Sequence, residues 1–221
     1  MFSSQLALQG YALIPMVLTP IECASIANHL AAMAMPSVGT RNLLQKPWCQ
    51  ALAAQLRRNL ALVPPAFVAV QCTYFEKSVS HNWLVPVHQD LGIPVAARVA
   101  HSSLRAWSEK EGSLFVQPPI TLLEELIALR VHIDACTAQD GPLRVVPGSH
   151  LLGQIAPESA AAMRRTSAEF VCEAASGSVL AMRPLLLHSS AKSTGVQMRR
   201  VLHFVFGPKT LPLGLKWQIA V

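Results

Sequence analysis

Apolar and polar positions change their rhythm once along this chain. After a short apolar strand candidate at Tyr11 to Val17, the stretch LTPIECASIANHLAAMA (18–34) carries a helix start. Thr19 can cap, Pro20 suits the first helical position, and Glu22 completes a capping box. A second helix is predicted from about Pro47 to Leu62, ended by the prolines of VPPAF. Beyond that point the runs are short and broken by turn residues, which predicts strands. The strand candidates are AFVAVQCTYFEK, NWLVPVHQD, LIALRVHIDAC, LRVVPGSH, SAEFVCEA, SVLAMRPLLLHSS and MRRVLHFVFGP.

Helices first and strands after argue against alternating βαβ units. They predict an antiparallel sandwich or barrel backed by helices. One segment breaks the texture: HSSLRAWSEKEGSLFVQPP (101–119) is polar and irregular, and reads as a loop inserted over something. No internal repeat, low-complexity tract or obvious linker divides the chain.

Composition narrows the function. At 221 residues, with 52% hydrophobic and only 14% charged positions, the chain is long enough to bury one large core. Its 18 basic against 12 acidic residues give +6, scattered apart from the doublets Arg57-Arg58, Arg164-Arg165 and Arg199-Arg200. Without a basic stripe the excess suits a small anionic ligand better than nucleic acid. The five cysteines form no CxxC and read as reduced thiols, and no apolar run has the length of a membrane span. The expectation is a cytoplasmic protein that binds neither membrane nor nucleic acid.

The candidate chemistry lies in two His-x-Asp pairs, VHQD (87–90) and VHID (131–134). Non-haem Fe(II) is commonly held by two imidazoles and one carboxylate, which leaves positions open for cosubstrate and O2. Residues i and i+2 of an extended chain point the same way, so His-x-Asp supplies two of the three ligands. The third must come from a distant strand, with His150, His188 and His203 as candidates. His188 stands out because it closes the apolar run LAMRPLLLH and is followed by small polar residues. Arg199 comes after ten intervening residues, a spacing that lets the next strand return its guanidinium to the same cavity. An arginine there would anchor a dicarboxylate.

The order His-x-Asp, distal His, ten residues, Arg resembles the signature of Fe(II)/2-oxoglutarate-dependent dioxygenases. The phrase DGPLRVVPGSH (140–150), the strand before it, and the opening LQGYALIPMVLTPIEC are similar to the phytanoyl-CoA dioxygenase (PhyH-like) family within that group. The resemblance runs from about residue 8 to 207. It implies a mainly β fold with flanking helices, a double-stranded β-helix or jelly roll. The expected layout is a single domain over 1–221, with 1–65 as helical support and 66–207 as the core. It implies that His88, Asp90 and His188 bind Fe(II), while Arg199 and Ser190 hold the distal carboxylate of 2-oxoglutarate. O2 is the co-oxidant and hydroxylation of a small molecule the default reaction, because halogenating relatives lack the carboxylate ligand. Desaturation, epimerisation and ring formation are also known on this scaffold. By analogy the substrate is amino-acid-derived or a secondary metabolite.

The resemblance treats the second pair as scaffold: Asp134 orders the 138–142 turn or meets a basic side chain, and His132 lines the pocket. His150 is expected to shape a loop. His203 shares a strand face with Arg199 and is either a pocket residue or a satisfied core histidine. Arg199 and Arg200 compete, since one register slip would exchange them. Cys72, Tyr74, Trp83, Trp107 and Gln117 are candidates for the pocket wall, and Arg105, Trp107, Glu109, Lys110 and Glu111 suggest a polar or charged substrate. The rival readings are a cupin-type metalloenzyme without 2-oxoglutarate, which leaves Arg199 idle, and a jelly-roll module that only binds a ligand.

Overall fold

The computed structural model describes residues 1–33 and 39–221. Its helices are α1 (Phe2–Gln9), α2 (Pro20–Ala31), α3 (Pro47–Asn59), α4 (Ile120–Glu125) and α5 (Pro157–Thr166). The first seven strands are β1 (Tyr11–Ile14), β2 (Gly39–Thr40), β3 (Phe67–Lys77), β4 (Val85–His88), β5 (Ile93–Val95), β6 (Arg105–Lys110) and β7 (Ser113–Gln117). They are followed by β8 (Ile127–His132), β9 (Leu143–Val145), β10 (Phe170–Cys172), β11 (Val179–Met182), β12 (His188–Ser190) and β13 (Arg199–Pro208).

The strands pair antiparallel in three sheets, in the orders β1-β11-β8-β13-β3-β2, β10-β9-β12-β4 and β5-β7-β6. The first two face one another as a jelly roll that does not close. Residues such as Leu143, Val145, Leu180 and Met182 are packed between them. On the other side of the large sheet, Ile26 and Leu30 of α2 and Leu52 and Leu56 of α3 pack against Leu129, Val131, Leu202 and Phe204.

Period-two alternation sends the two faces of each long strand to different places. Leu202 and Phe204 of β13 enter the helix-side core, whereas Arg199 and His203 line an interior cavity. In β3 the same parity puts Cys72 and Tyr74 in the core and Thr73, Phe75 and Lys77 on the cavity. Cys72 and Tyr74 are therefore not pocket-wall residues; Trp83, Trp107 and Gln117 are.

The start of α2 follows the sequence signal. The Thr19 backbone donates to Glu22 Oε2 at 2.7 Å, and Thr19 Oγ1 accepts from the Glu22 backbone at 3.3 Å. Ala34, at the end of the stretch that carries this signal, lies outside the described residues. The expected loop at 101–119 is different: it holds β6 and β7, which form a hairpin extended by β5. At the hairpin tip the Glu111 carboxylate accepts from Thr40 Oγ1 (2.7 Å), the Arg41 backbone (2.9 Å) and Arg41 Nη1 (2.8 Å). Among the described residues no helix is long and apolar enough to cross a membrane.

Candidate metal centre

His88 closes β4 and His188 opens β12, and the two are direct partners in the antiparallel register. Their ring centroids lie 4.2 Å apart. Beyond β4 the backbone N–H of Asp90 donates to Pro184 O at 2.9 Å, which returns the carboxylate to the same side as His88. His88 Nε2 stands 3.8 Å from Asp90 Oδ1, and His188 Nε2 stands 3.7 Å from Asp90 Oδ2. One donor atom from each of the three residues lies within 4.8 Å of the others.

The tautomers are set by the backbone. His88 Nδ1 lies 2.8 Å from Pro86 O, and His188 Nδ1 lies 2.9 Å from Leu186 O. A carbonyl can only accept, so Nδ1 carries a proton in both rings, and Nε2 is the nitrogen that each ring turns toward Asp90. Two imidazoles and a carboxylate, each imidazole oriented from behind, fit a divalent metal such as iron. Burial alone would push the Asp90 carboxyl up toward its protonated form, but His188, His203, His88 and Arg130 outweigh it and hold the group below its ordinary value, so it stays an anion.

Gln89 explains how the middle residue of VHQD serves the other two. It points away from the donors, and its Nε2 donates to Gly153 O (2.8 Å) and Leu185 O (2.6 Å). Its Oε1 accepts from the Ile155 backbone at 2.8 Å. Three bonds from one buried amide fix the strand end that carries His88 and Asp90.

The donors open on a cavity of about 820 Å³ between the two main sheets, with the β6–β7 hairpin along one side. At its far end Lys77 and Arg199 are opposite one another in the register of β3 and β13. Lys77 Nζ donates to Ser190 Oγ at 2.9 Å and to the Ala191 carbonyl, under the ring of Trp83. Arg199 Nη1 donates to Gly141 O at 3.0 Å, while its buried Nε has no partner among the described residues. Burial, then the nearby Arg199 and Arg130, push the Lys77 ammonium down to about 7.

Arg200 faces the opposite way. Its Nε and Nη2 each donate to Asp134 at 2.8 Å, and its backbone N–H adds a third bond at 2.9 Å. Asp134 therefore meets a basic side chain and is remote from the donor set. His132 does not line the cavity: it is fully buried, neither ring nitrogen has a partner among the described residues, and burial together with Arg130 and Arg199 lowers it to about 3. His150 is elsewhere too, its Nε2 donating to Ala7 O of α1 at 3.1 Å. His203 does line the cavity, with Nε2 3.8 Å from Asp90 Oδ2.

The sequence also matches the family model for phytanoyl-CoA dioxygenase (PhyH) over residues 6–201. The chain belongs to the PhyH family. No curated protein matches it. Among solved structures, this PhyH protein is similar to SnoK, a non-haem alpha-ketoglutarate-dependent carbocyclase from nogalamycin biosynthesis. The TM-score is 0.67 at 14% identity, over 94% of this chain and 83% of that one. AviO1 from Streptomyces viridochromogenes gives 0.66 at 18% identity, over 96% and 95%. HygX from Streptomyces hygroscopicus, with nickel and 2-oxoglutarate bound, gives 0.65 at 17% identity, over 93% and 85%. At such identities the likeness is one of fold.

Several lining residues of this PhyH chain escape a motif search. Lys77, Thr73 and Phe75 alternate along β3, and Arg130 sits in the otherwise apolar run IALRV of β8. The signal available for Arg130 was a single charged residue inside a wholly buried strand.

Proposed function

We propose that this protein is an Fe(II)- and 2-oxoglutarate-dependent oxygenase that hydroxylates a small organic molecule. The observation that carries the reading is one cavity with two unlike ends. At one end are two oriented imidazoles and a carboxylate; at the other, the buried cations Lys77 and Arg199 with Ser190. A divalent metal suits the first and the distal carboxylate of a diacid suits the second.

In this reading His88, Asp90 and His188 hold the metal, and Arg199 and Ser190 grip the distal carboxylate, with Lys77 adding charge. When bound, iron with 2-oxoglutarate and O2 supplies the oxidising power to functionalise an unactivated C–H bond, with succinate and CO2 as co-products. The protein's share is orientation and exclusion of water, to which Trp83 and Trp107 contribute as cavity walls. HygX has been crystallised with nickel, 2-oxoglutarate and hygromycin B, and SnoN, an epimerase, with iron, alpha-ketoglutarate and a nogalamycin compound. A secondary metabolite or amino-acid-derived molecule is accordingly the substrate class proposed here. Hydroxylation is preferred because Asp90 completes the donor set.

Calorimetric titration of 2-oxoglutarate into the Ni(II)-loaded protein tests this. One site is expected, lost in Asp90→Ala through loss of metal and in Arg199→Met with the metal retained. Equal binding by wild type and Arg199→Met would contradict the assignment.

A further inference from the structure

Arg130 is a buried cation that no hydrogen-bond acceptor or carboxylate among the described residues satisfies. It is 7% exposed, its guanidinium makes no hydrogen bond or ion pair among the described residues, and its Nε is sealed from solvent without a partner. Lys77 and Arg199, by contrast, each donate to oxygen atoms of the chain. Leaving a charge in this state costs stability, so a position that keeps one needs a partner from outside.

Its placement indicates where that partner lies. Arg130 of β8 is in register with His203 of β13, and the Phe75 ring braces both, 5.3 Å from the guanidinium carbon and edge-on to the imidazole at 6.3 Å. His203 has its own buried unpartnered nitrogen, Nδ1, and its Nε2 lies 3.8 Å from Asp90. Both residues line the cavity beside the donor set, two strand positions beyond the row of Val201, which in turn lies two beyond Arg199. The guanidinium is thus a further cationic position on the donor-set side of the Lys77–Arg199 end, near enough to feel both of those charges. Burial and then the nearby Arg199 work against the Arg130 cation, and Asp90, which offsets them only in part, already faces three imidazoles.

We propose that Arg130, with His203 beside it, receives a carboxylate of the primary substrate, which makes the substrate an organic acid. This deepens the reading above and rests on it in one respect: 2-oxoglutarate occupies the Arg199 end and leaves Arg130 free. Arg130 then acts as a specificity-determining residue, and Phe75 as the residue that positions it.

The test uses phenylacetate and phenylacetamide as probes, titrated into the Ni(II)-loaded protein saturated with 2-oxoglutarate. Wild type should bind the acid about tenfold or more tightly than the amide, as expected for a charge-assisted hydrogen bond. Arg130→Met should erase that preference with 2-oxoglutarate affinity unchanged, and Arg130→Lys should restore part of it. Ligand-free Arg130→Met should also melt at a higher temperature than wild type, because an unpartnered buried charge is gone. Three results would overturn the proposal: no preference in wild type, a preference that survives Arg130→Met, or a loss of 2-oxoglutarate affinity as large as in Arg199→Met. If wild type binds no 2-oxoglutarate at all, the function proposed above fails by itself. The same probes titrated into metal-free wild type and Arg130→Met then decide the Arg130 site separately.

Discussion

Arg199 and Lys77 are direct partners across β13 and β3, both almost wholly buried, and neither forms an ion pair with a carboxylate among the described residues. Two like charges in register repel one another, so the pair is stable only in so far as one of them loses its proton or an anion joins them. The lowered Lys77 ammonium, at about 7, is the first of these outcomes. A dicarboxylate would supply the second.

The pH dependence follows with a definite sign. The folded-state value of Lys77 is about 7, against about 10 for the unfolded chain. Between these limits the unfolded chain binds the extra proton, so the ligand-free protein gains stability as pH rises from 7 toward 10. Below pH 7 the penalty is present in full. Lys77→Met should flatten this part of a denaturation-against-pH curve. Binding of 2-oxoglutarate should run the other way, weakening by up to about tenfold per unit as pH climbs above 7, since the anion needs the charged ammonium.

Gln89 should matter to the metal without touching it. Gln89→Leu removes three hydrogen bonds behind the His88–Asp90 turn. Metal affinity is expected to fall by about ten- to a hundredfold, the range seen when residues that orient ligands are lost. Competition against a chelating dye measures it, and an unchanged affinity would show that the turn is held by other means.

Arg200→Ala and Asp134→Ala test the second His-x-Asp pair. The ion pair is two-pronged and about three-quarters buried, with side chains 21% and 24% exposed. Either substitution should cost about 1–3 kcal/mol of stability and leave metal and 2-oxoglutarate binding as in wild type. Loss of metal in Asp134→Ala would mean that the wrong pair has been assigned.

Much of the site was legible because motif order and period-two parity are local properties. His88 and Asp90 on one side of a strand end and His188 at the close of an apolar run follow from spacing, while the ten-residue gap from His188 favours Arg199 over Arg200 without excluding a register slip. Phase was the weak point. Cys72 and Tyr74 flank the right strand but have the parity of the helix-side core, and the sequence alone carries no marker of which parity points inward. Helix α1 went unread because it has neither a capping side chain nor an acid in its first turn. The start of α5 was readable from Pro157 and Glu158 but lacked a capping side chain at Ala156. The polar strand β6 looked like a loop because both of its ends are exposed, and only its pairing with β7 makes it a strand. Arg130 was invisible to motif reasoning because its meaning depends on two neighbouring strands.

The most direct measurement is the visible spectrum of the protein after anaerobic addition of Fe(II) and 2-oxoglutarate. A charge-transfer band is expected in wild type and in His132→Ala, and none in His88→Ala or His188→Ala. A folded wild-type protein without the band, or a band that survives His88→Ala and vanishes in His132→Ala, would contradict the donor assignment.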